Sequence, residues 1–303
     1  MAIPTLAPPG LGVYAWRRQL QEDLSHVSET ADPSHPFDQA MALEPLGEGR
    51  FKGHTSDAYW NFTGPFGGTT AAVLLNAAML HPKRIGTPLA LTANYCAPLA
   101  KGPFEIQVRE VRTNRSTQHW SMELTQGEAG TTALATAVFA ERRPGFAHQP
   151  ARAPGAPPPE TVAPLPMRGM MAWLERYEFR FTRNAPQPPL PAPTAEPRDA
   201  LTHVWVSDNP ARPLDFASLA ALADTFFGRI FHVRQAFVPI GTVSMTTYFH
   251  ADAQDLAEVG SAPLLGVADA SVFAKGYFDQ KAELWSRSGK LLATSHQIVY
   301  FRG

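Results

Sequence analysis

Proline placement constrains this chain more than any other feature of its sequence. Eight of the 29 prolines fall between Pro144 and Pro166, and six more fall between Pro186 and Pro197. Because proline lacks a backbone N–H and fixes φ, neither stretch can form a helix interior or a central strand. The first stretch predicts an extended, semi-rigid linker, and the second predicts a long loop. We therefore divide the chain into an N-terminal extension, a first domain, a linker and a second domain, spanning 1–35, 36–143, 144–168 and 169–303, with the proline-rich loop at 185–198.

The composition indicates a protein with a buried core and excludes some kinds of partner. With 44% hydrophobic residues the chain can bury a core, and its net charge of -1 gives no electrostatic case for nucleic acid or an anionic membrane surface. The single cysteine, Cys96, excludes an internal disulfide, and its apolar surroundings predict a buried thiol. The sequence contains no signal-peptide pattern and no apolar run long enough for a membrane span, so we expect a cytoplasmic protein.

The two halves share one order of predicted elements. In the first half, strand patterns at 37–45 and 50–55 precede a helix at 69–79, and four strands follow it. In the second half, a helix of small residues over about 215–230 is again followed by four strands. The eight strands are expected near 88–97, 104–115, 117–126, 132–142, 242–251, 264–274, 276–287 and 291–302. This pattern predicts an α+β protein with antiparallel strands in two similar units.

A weak alignment by residue also relates the halves. The segments that lead into the last strand of each half resemble each other. In that register Phe139 corresponds to Gln297, and Asn76 falls near Asp224. The second half therefore carries polar groups where the first half has apolar or neutral ones.

Three polar residues of the second half are candidates for chemistry. Asp224 lies in an apolar helix segment, where an unpaired carboxylate is costly to bury and needs hydrogen bonds or a raised pKa. Thr242 opens a strand, and Gln297 lies inside the last strand, where a buried amide needs partners. Together an acid, a hydroxyl and an amide can hold and polarise a water. Taken singly, each also fits a structural role: a solvated helix end, a strand former and a cross-strand hydrogen bond.

Several common catalytic motifs are absent from the sequence. The histidines lack metal-ligand spacing, so we expect no metal site. Gly64, Gly67 and Gly68 lack the lysine of a phosphate loop and indicate a tight entry to the first helix. No G-x-S-x-G is present, which leaves a serine hydrolase unsupported.

The order and spacing of these motifs resemble the double-hotdog acyl-CoA thioesterases of the thioesterase II (TesB-like) family. The likeness covers roughly 36–142 and 173–303, and includes Phe66-Gly-Gly68 before the first helix and Leu222-Ala-Asp224 in the second. The resemblance implies two antiparallel sheets, each wrapped around a long central helix. Two positions depart from the family pattern, because Ser244 stands where the family often has Asp and Ala251 where it often has Arg.

The resemblance also implies an activity and a set of site residues. The family's catalytic residues fall onto Asp224, Thr242 and Gln297, which implies hydrolysis of acyl-CoA by an activated water. No cofactor is implied beyond the CoA of the substrate, and a homo-oligomer is the family-level expectation. The residues expected to contact the acyl-CoA substrate are Phe66, Gly67, Gly68, Phe226, Phe227 and Met245.

Two other functions remain open on the sequence. One is a hotdog enoyl-CoA hydratase, which usually needs an acid–histidine pair that the sequence does not present. The other is a non-catalytic protein that binds acyl-CoA or lipid. Mutual contact of Asp224, Thr242 and Gln297 favours the hydrolase, whereas separation by more than about one bridging water favours the binding protein.

Overall fold

The computed structural model describes residues 34–186 and 196–302, in which thirteen strands form one antiparallel sheet. The strands are β1 (Glu44–Gly47), β2 (Arg50–His54), β3 (Thr87–Tyr95), β4 (Pro103–Thr113), β5 (Thr117–Thr125), β6 (Thr131–Ala140), β7 (Tyr177–Arg183), β8 (Thr202–Asp208), β9 (Ile240–Phe249), β10 (Leu264–Asp269), β11 (Phe273–Ala274), β12 (Tyr277–Trp285) and β13 (Leu291–Phe301). The α-helices of these ranges are α1 (Pro36–Met41), α2 (Gly67–Met79), α3 (Phe216–Leu222), α4 (Arg229–Arg234) and α5 (Ala253–Val259). Most of the predicted extension and of the loop at 185–198 lies outside the described residues. None of the described helices has the length and hydropathy needed to cross a bilayer.

The strand order repeats on either side of a central junction. The sheet runs β1-β2-β4-β5-β6-β3-β9-β13-β12-β10-β8-β7, with β11 paired to β12. The halves meet where β3 pairs with β9, and the hydroxyls of Thr92 and Thr246 lie 3.0 Å apart at that junction. Read outward from it, each half presents its strands in the same sequence. The predicted antiparallel sheet with few helices is therefore confirmed, and the similarity of the halves appears in their topology.

Helix α2 packs closely against the helix of the other half. Its alanine-rich sequence favours a helix, and the hydroxyl of Thr69 donates to Phe66 O at 2.7 Å to support its first turn. A Cβ added at Gly68 would lie 2.6 Å from Ala221 O in α3. Glycine at this position lets the start of α2 reach the end of α3.

The strand expected at 37–45 is wrong, because its first part forms α1. Pro36 occupies the first turn, where its missing N–H costs nothing, and His35 Nδ1 accepts the Phe37 N–H at 3.1 Å as an N-cap. Strand β1 begins only at Glu44. The local helix-start signal outweighs the alternation of apolar residues that suggested a strand.

The single helix expected over about 215–230 is also wrong, because it is interrupted. Helix α3 begins with a capping box between Asp215 and Ser218 and ends at Leu222. The hydroxyl of Thr225 then donates to Leu222 O at 2.8 Å, and the chain turns before α4 starts after Gly228. Asp224 therefore lies in a turn between two short helices.

The linker runs along the outer face of the second half without regular secondary structure until residue 159. Trp205 Nε1 donates to Pro157 O at 2.9 Å, and Gln149 Nε2 donates to Gly289 O at 2.9 Å. Linker alanines pack there against an apolar cluster that includes Trp205 and Trp285. The predicted extended linker thus covers apolar sheet surface.

Candidate active site

A cavity of about 730 Å³ draws its lining from both halves of the sheet. Its walls are mainly apolar, and Phe66 of the first half stacks on Trp173 of the second with ring centroids 4.2 Å apart. The polar side chains that face it include Tyr95, Asp224, Thr242, Gln280 and Gln297. A mostly apolar cavity with a few convergent polar groups is typical of a small-molecule site.

Asp224 is a buried carboxylate with a strongly perturbed acidity. Its side chain is held in the turn after α3, the residue is 9% exposed, and Gln297 Nε2 donates to Oδ1 at 2.8 Å. Burial raises the pKa of Asp224 to about 7, and hydrogen bonds from Gln297 and from the Gly68 N–H oppose that rise. The carboxylate can therefore take up and release a proton near neutral pH.

The start of α2 faces this carboxylate from the other half. The N-terminal end of a helix carries partial positive charge, which favours the ionised form of an acid beside it. A Cβ added at Gly67 would lie 2.8 Å from Asp224 Oδ2 and 3.4 Å from the Tyr95 hydroxyl oxygen. Tyr95 fixes the helix start by donating to Gly67 O at 2.9 Å. Glycine 67 thus keeps open the space between the carboxylate and the tyrosine.

A β-bulge aims Thr242 at the site. Strand β9 carries Val243 as an extra residue in its pairing with β13. Met245 faces inward at 1% exposure, so simple alternation would turn Thr242 to the opposite face of the sheet. The bulge instead places Thr242 on the face of Gln297, and its hydroxyl donates to Gln297 Oε1 at 3.3 Å.

The structure brings the three predicted catalytic residues into one hydrogen-bonded chain. Thr242 donates to the amide oxygen of Gln297, and the amide nitrogen of Gln297 donates to Asp224. Since the hydroxyl proton is directed at the amide oxygen, the amide must present its NH₂ to the carboxylate. Both donor–acceptor distances are too short for an intervening water, so the residues act on each other directly.

Of the six residues expected to contact substrate, four line the cavity and two lie behind its wall. Phe66, Gly67, Phe226 and Phe227 line the cavity. Gly68 instead donates its N–H to Asp224 and packs on α3. Met245 lies in the apolar core behind the site and does not line the cavity.

Sequence reasoning missed other lining residues. Trp173 lies in a 3-10 turn before β7, where nothing in the sequence indicates that it faces a cavity. Tyr95 and Gln280 lie in predicted strands, where nothing in the sequence indicates that they face a cavity. The expectation of a buried Cys96 is wrong, because β3 ends at Tyr95 and the exposed thiol lies beyond it at the cavity wall.

Comparison with known proteins identifies the family. A model of the acyl-CoA thioesterase N-terminal domain matches residues 56–140, and a model of the acyl-CoA thioesterase C-terminal domain matches residues 150–301. The chain therefore belongs to the acyl-CoA thioesterase family, and its expected resemblance to TesB-like thioesterases is confirmed. A comparison with curated proteins finds no match.

Several solved structures have a fold similar to that of this chain. A conserved protein of unknown function with a hot dog fold from Alicyclobacillus acidocaldarius is 44% identical, with a TM-score of 0.83, over 89% of this chain and 99% of that one. The acyl-CoA thioesterase II TesB2 from Mycobacterium marinum is 18% identical, with a TM-score of 0.69, over 88% of this chain and 98% of that one. The tesB protein of Mycobacterium avium subs paratuberculosis is 20% identical, with a TM-score of 0.71, over 89% of this chain and 100% of that one. At these lower identities the likeness concerns the fold alone.

Proposed function

We propose that this protein is a double-hotdog acyl-CoA thioesterase that hydrolyses acyl-CoA to a free acid and CoA. The observation that carries the proposal is the hydrogen-bonded chain from Thr242 through Gln297 to Asp224, which ends at an apolar cavity. Thioesterase activity is also the activity of the family to which the chain belongs.

The proposed reaction uses water as the nucleophile. Asp224 takes a proton from the water while the water oxygen bonds to the thioester carbonyl carbon, which leaves negative charge on the carbonyl oxygen. Collapse of this intermediate breaks the carbon–sulfur bond, and the CoA thiolate takes the proton back from the Asp224 carboxyl. Thr242 and Gln297 hold the carboxylate in place, and no covalent acyl-enzyme forms. A pKa near 7 suits a group that must first accept and then return a proton.

The two-unit organisation belongs to the same proposal. Each unit is a hotdog, with α2 as the central helix of the first and α3 as that of the second. Support comes from the repeated strand order and from the separate matches of the two family models. The division into domains at 36–143 and 169–303, joined by the linker, belongs to the same proposal, and the homo-oligomer stays a prediction.

The rival functions find less support in the site. A hydratase needs an acid–histidine pair, and no histidine of the described residues lines the cavity. A protein that only binds acyl-CoA has no need of a buried carboxylate, which is costly to keep in an apolar wall. Direct contacts at 2.8 Å and 3.3 Å join the three polar residues, which favours the hydrolase.

The test is release of free thiol from acyl-CoAs of increasing chain length by wild type and Asp224→Asn. Removing a general base costs about 10²–10⁴-fold, so we expect turnover to fall at least a hundredfold with the fold retained. Asp208→Asn is a matched control, because Asp208 is also buried with a pKa raised to about 7 by burial, yet does not line the cavity. Equal turnover in wild type and Asp224→Asn would overturn the proposal.

A further inference from the structure

A fully buried arginine lies behind one wall of the cavity. Arg229 opens α4 at 0% exposure, and its guanidinium donates to Thr202 Oγ1 at 2.6 Å and to the carbonyl oxygens of Ala200 and Phe227. None of these acceptors is charged, and no described carboxylate lies within salt-bridge distance. Burial lowers the pKa of Arg229 to about 9, so the group still carries its charge at neutral pH. A fixed cation therefore lies behind the cavity wall, and Asp269, whose charge favours the ionised arginine, lies beyond salt-bridge distance.

This arginine fixes the orientation of Gln280. Arg229 Nε donates to Gln280 Oε1 at 3.3 Å, and since a guanidinium offers only donors, the amide must turn its oxygen to Arg229. The NH₂ group then points away from Arg229, and Gln280 lines the cavity although it is only 2% exposed. Within the described ranges its NH₂ donates to no protein atom. It is a nearly buried donor held ready for a ligand acceptor.

The position of Gln280 relates this donor to the reacting atoms. Gln280 and Gln297 are directly opposite each other on β12 and β13, so their Cβ atoms lie about 5 Å apart on the same face of the sheet. Gln297 in turn holds Asp224, where water is activated in the proposed reaction. A group bound by Gln280 therefore lies within a few carbons of the thioester carbonyl.

We propose that Gln280 is a specificity residue that binds an oxygen on the first carbons of the acyl chain, so that the preferred substrates are 3-hydroxy or 3-oxoacyl thioesters. The inference rests on the proposed thioesterase function. With a plain acyl chain the NH₂ group would lose its water and gain no partner, which is costly. An oxygen at this position restores the hydrogen bond, and the charge of Arg229 strengthens the amide as a donor. Sites built around a buried polar group discriminate strongly against analogues that lack its partner.

The test compares chain-matched pairs of substrates, octanoyl-CoA with 3-hydroxyoctanoyl-CoA and butyryl-CoA with 3-hydroxybutyryl-CoA. The measured quantity is the ratio of kcat/KM within each pair, for wild type and for Gln280→Met, which keeps the length of the side chain. We expect wild type to favour the hydroxylated chain by about tenfold, as one buried hydrogen bond allows. In Gln280→Met we expect that ratio to fall to about one, through loss of rate on the hydroxylated chain and gain of rate on the plain chain, which no longer leaves a buried amide unpaired.

The outcomes separate this inference from the proposed function. Wild-type turnover without preference for the hydroxylated chain would overturn the inference and leave the thioesterase standing, and this result does not depend on the folding of any variant. An equal loss of kcat on all substrates in Gln280→Met would assign the amide to the thioester carbonyl and also overturn it. No turnover of any thioester by wild type would overturn the proposed function and the inference with it.

Discussion

The two halves of the sheet share one strand order but differ in what their buried glutamines contact. In the first half α2 runs unbroken for 13 residues, and Gln118 pairs across the strands with buried Phe139. The amide of Gln118 is consumed locally, since it bonds the backbone of Ile85 and Lys83 and the indole of Trp120. The buried amide of Gln118 is thus satisfied within the first half.

In the second half the same strand order leaves polar side chains facing the cavity. The helix stops after seven residues, so that Asp224 occupies the turn that follows. Across the strands Gln280 pairs with Gln297, and both face the cavity. In a closed core, polar side chains without partners would lower the stability of the fold. Here they face the cavity, where a ligand can bind them. The two halves therefore differ at the site in two respects: the helix of the second half is interrupted, and Gln297 stands where the first half has the buried Phe139.

The first half is nevertheless part of that site. The first turn of α2 supplies the Gly68 N–H to Asp224, and Tyr95 holds Gly67 in place. Neither half alone would present a complete set of groups to the cavity.

Gly67→Ala tests the contribution of the first half to the site, and its expected effect is the largest among changes outside the second half. The added Cβ would lie 2.8 Å from Asp224 Oδ2, so the carboxylate must move away from the helix start. Misplacement of a catalytic group by about 1 Å can cost about a hundredfold, which is the loss of kcat that we expect in a thiol-release assay. Gly155→Ala is the control, because a Cβ there meets nothing within 4 Å. Unchanged kcat in Gly67→Ala would remove the first half from the site.

The Asp224→Asn variant also tests the raised pKa of Asp224 through the pH dependence of the free energy of unfolding. The pKa of Asp224 rises on folding from 3.8 to about 7, so the folded wild type loses stability as pH rises from about 4 to about 7 and remains at that lower level above. Asparagine has no proton to lose, and we expect the variant to be more stable than wild type at pH 8, by on the order of 2 kcal/mol. Urea unfolding at pH 8 and pH 5 measures the gap, which should be smaller at pH 5. A gap that is equal at both pH values would contradict the raised pKa.

The smallest expected effect comes from a comparison of two threonines of β9, one beside the site and one in the core. Thr242→Val removes the hydrogen bond to Gln297, and we expect kcat to fall about tenfold because the amide loses its orientation. Thr247→Val is the matched control, since the buried Thr247 hydroxyl has no described partner and points into the core. For that variant we expect unchanged kcat and a gain of about 1 kcal/mol in the free energy of unfolding. If both variants lost the same activity, the bulge would have no special role.

The sequence was sufficient for features that depend on local pattern and on family likeness. The repeated strand blocks, the extended linker and the choice of Asp224, Thr242 and Gln297 as candidate residues all follow from it. Interruption of the second helix did not, because Thr225 and Gly228 are weak signals beside a long run of small apolar residues.

Features that depend on pairing between distant strands could not be predicted either. The inward turn of Thr242 requires the bulge at Val243, which exists only in the register with β13. Arg229 and Gln280 are 51 residues apart, and no local pattern relates them. The expectation that Met245 contacts the substrate was wrong, and Gln280 was not predicted to face the cavity.

The linker has a consequence for how the site responds to dilution. Its bonds from Gln149 and to Trp205 hold it against the second half, and it joins the two halves into one chain. Tethering of this kind gives two groups an effective concentration that reaches the millimolar range for short flexible connections. The first turn of α2 and the Asp224 carboxylate meet within one molecule, so the number of assembled sites per chain is independent of protein concentration.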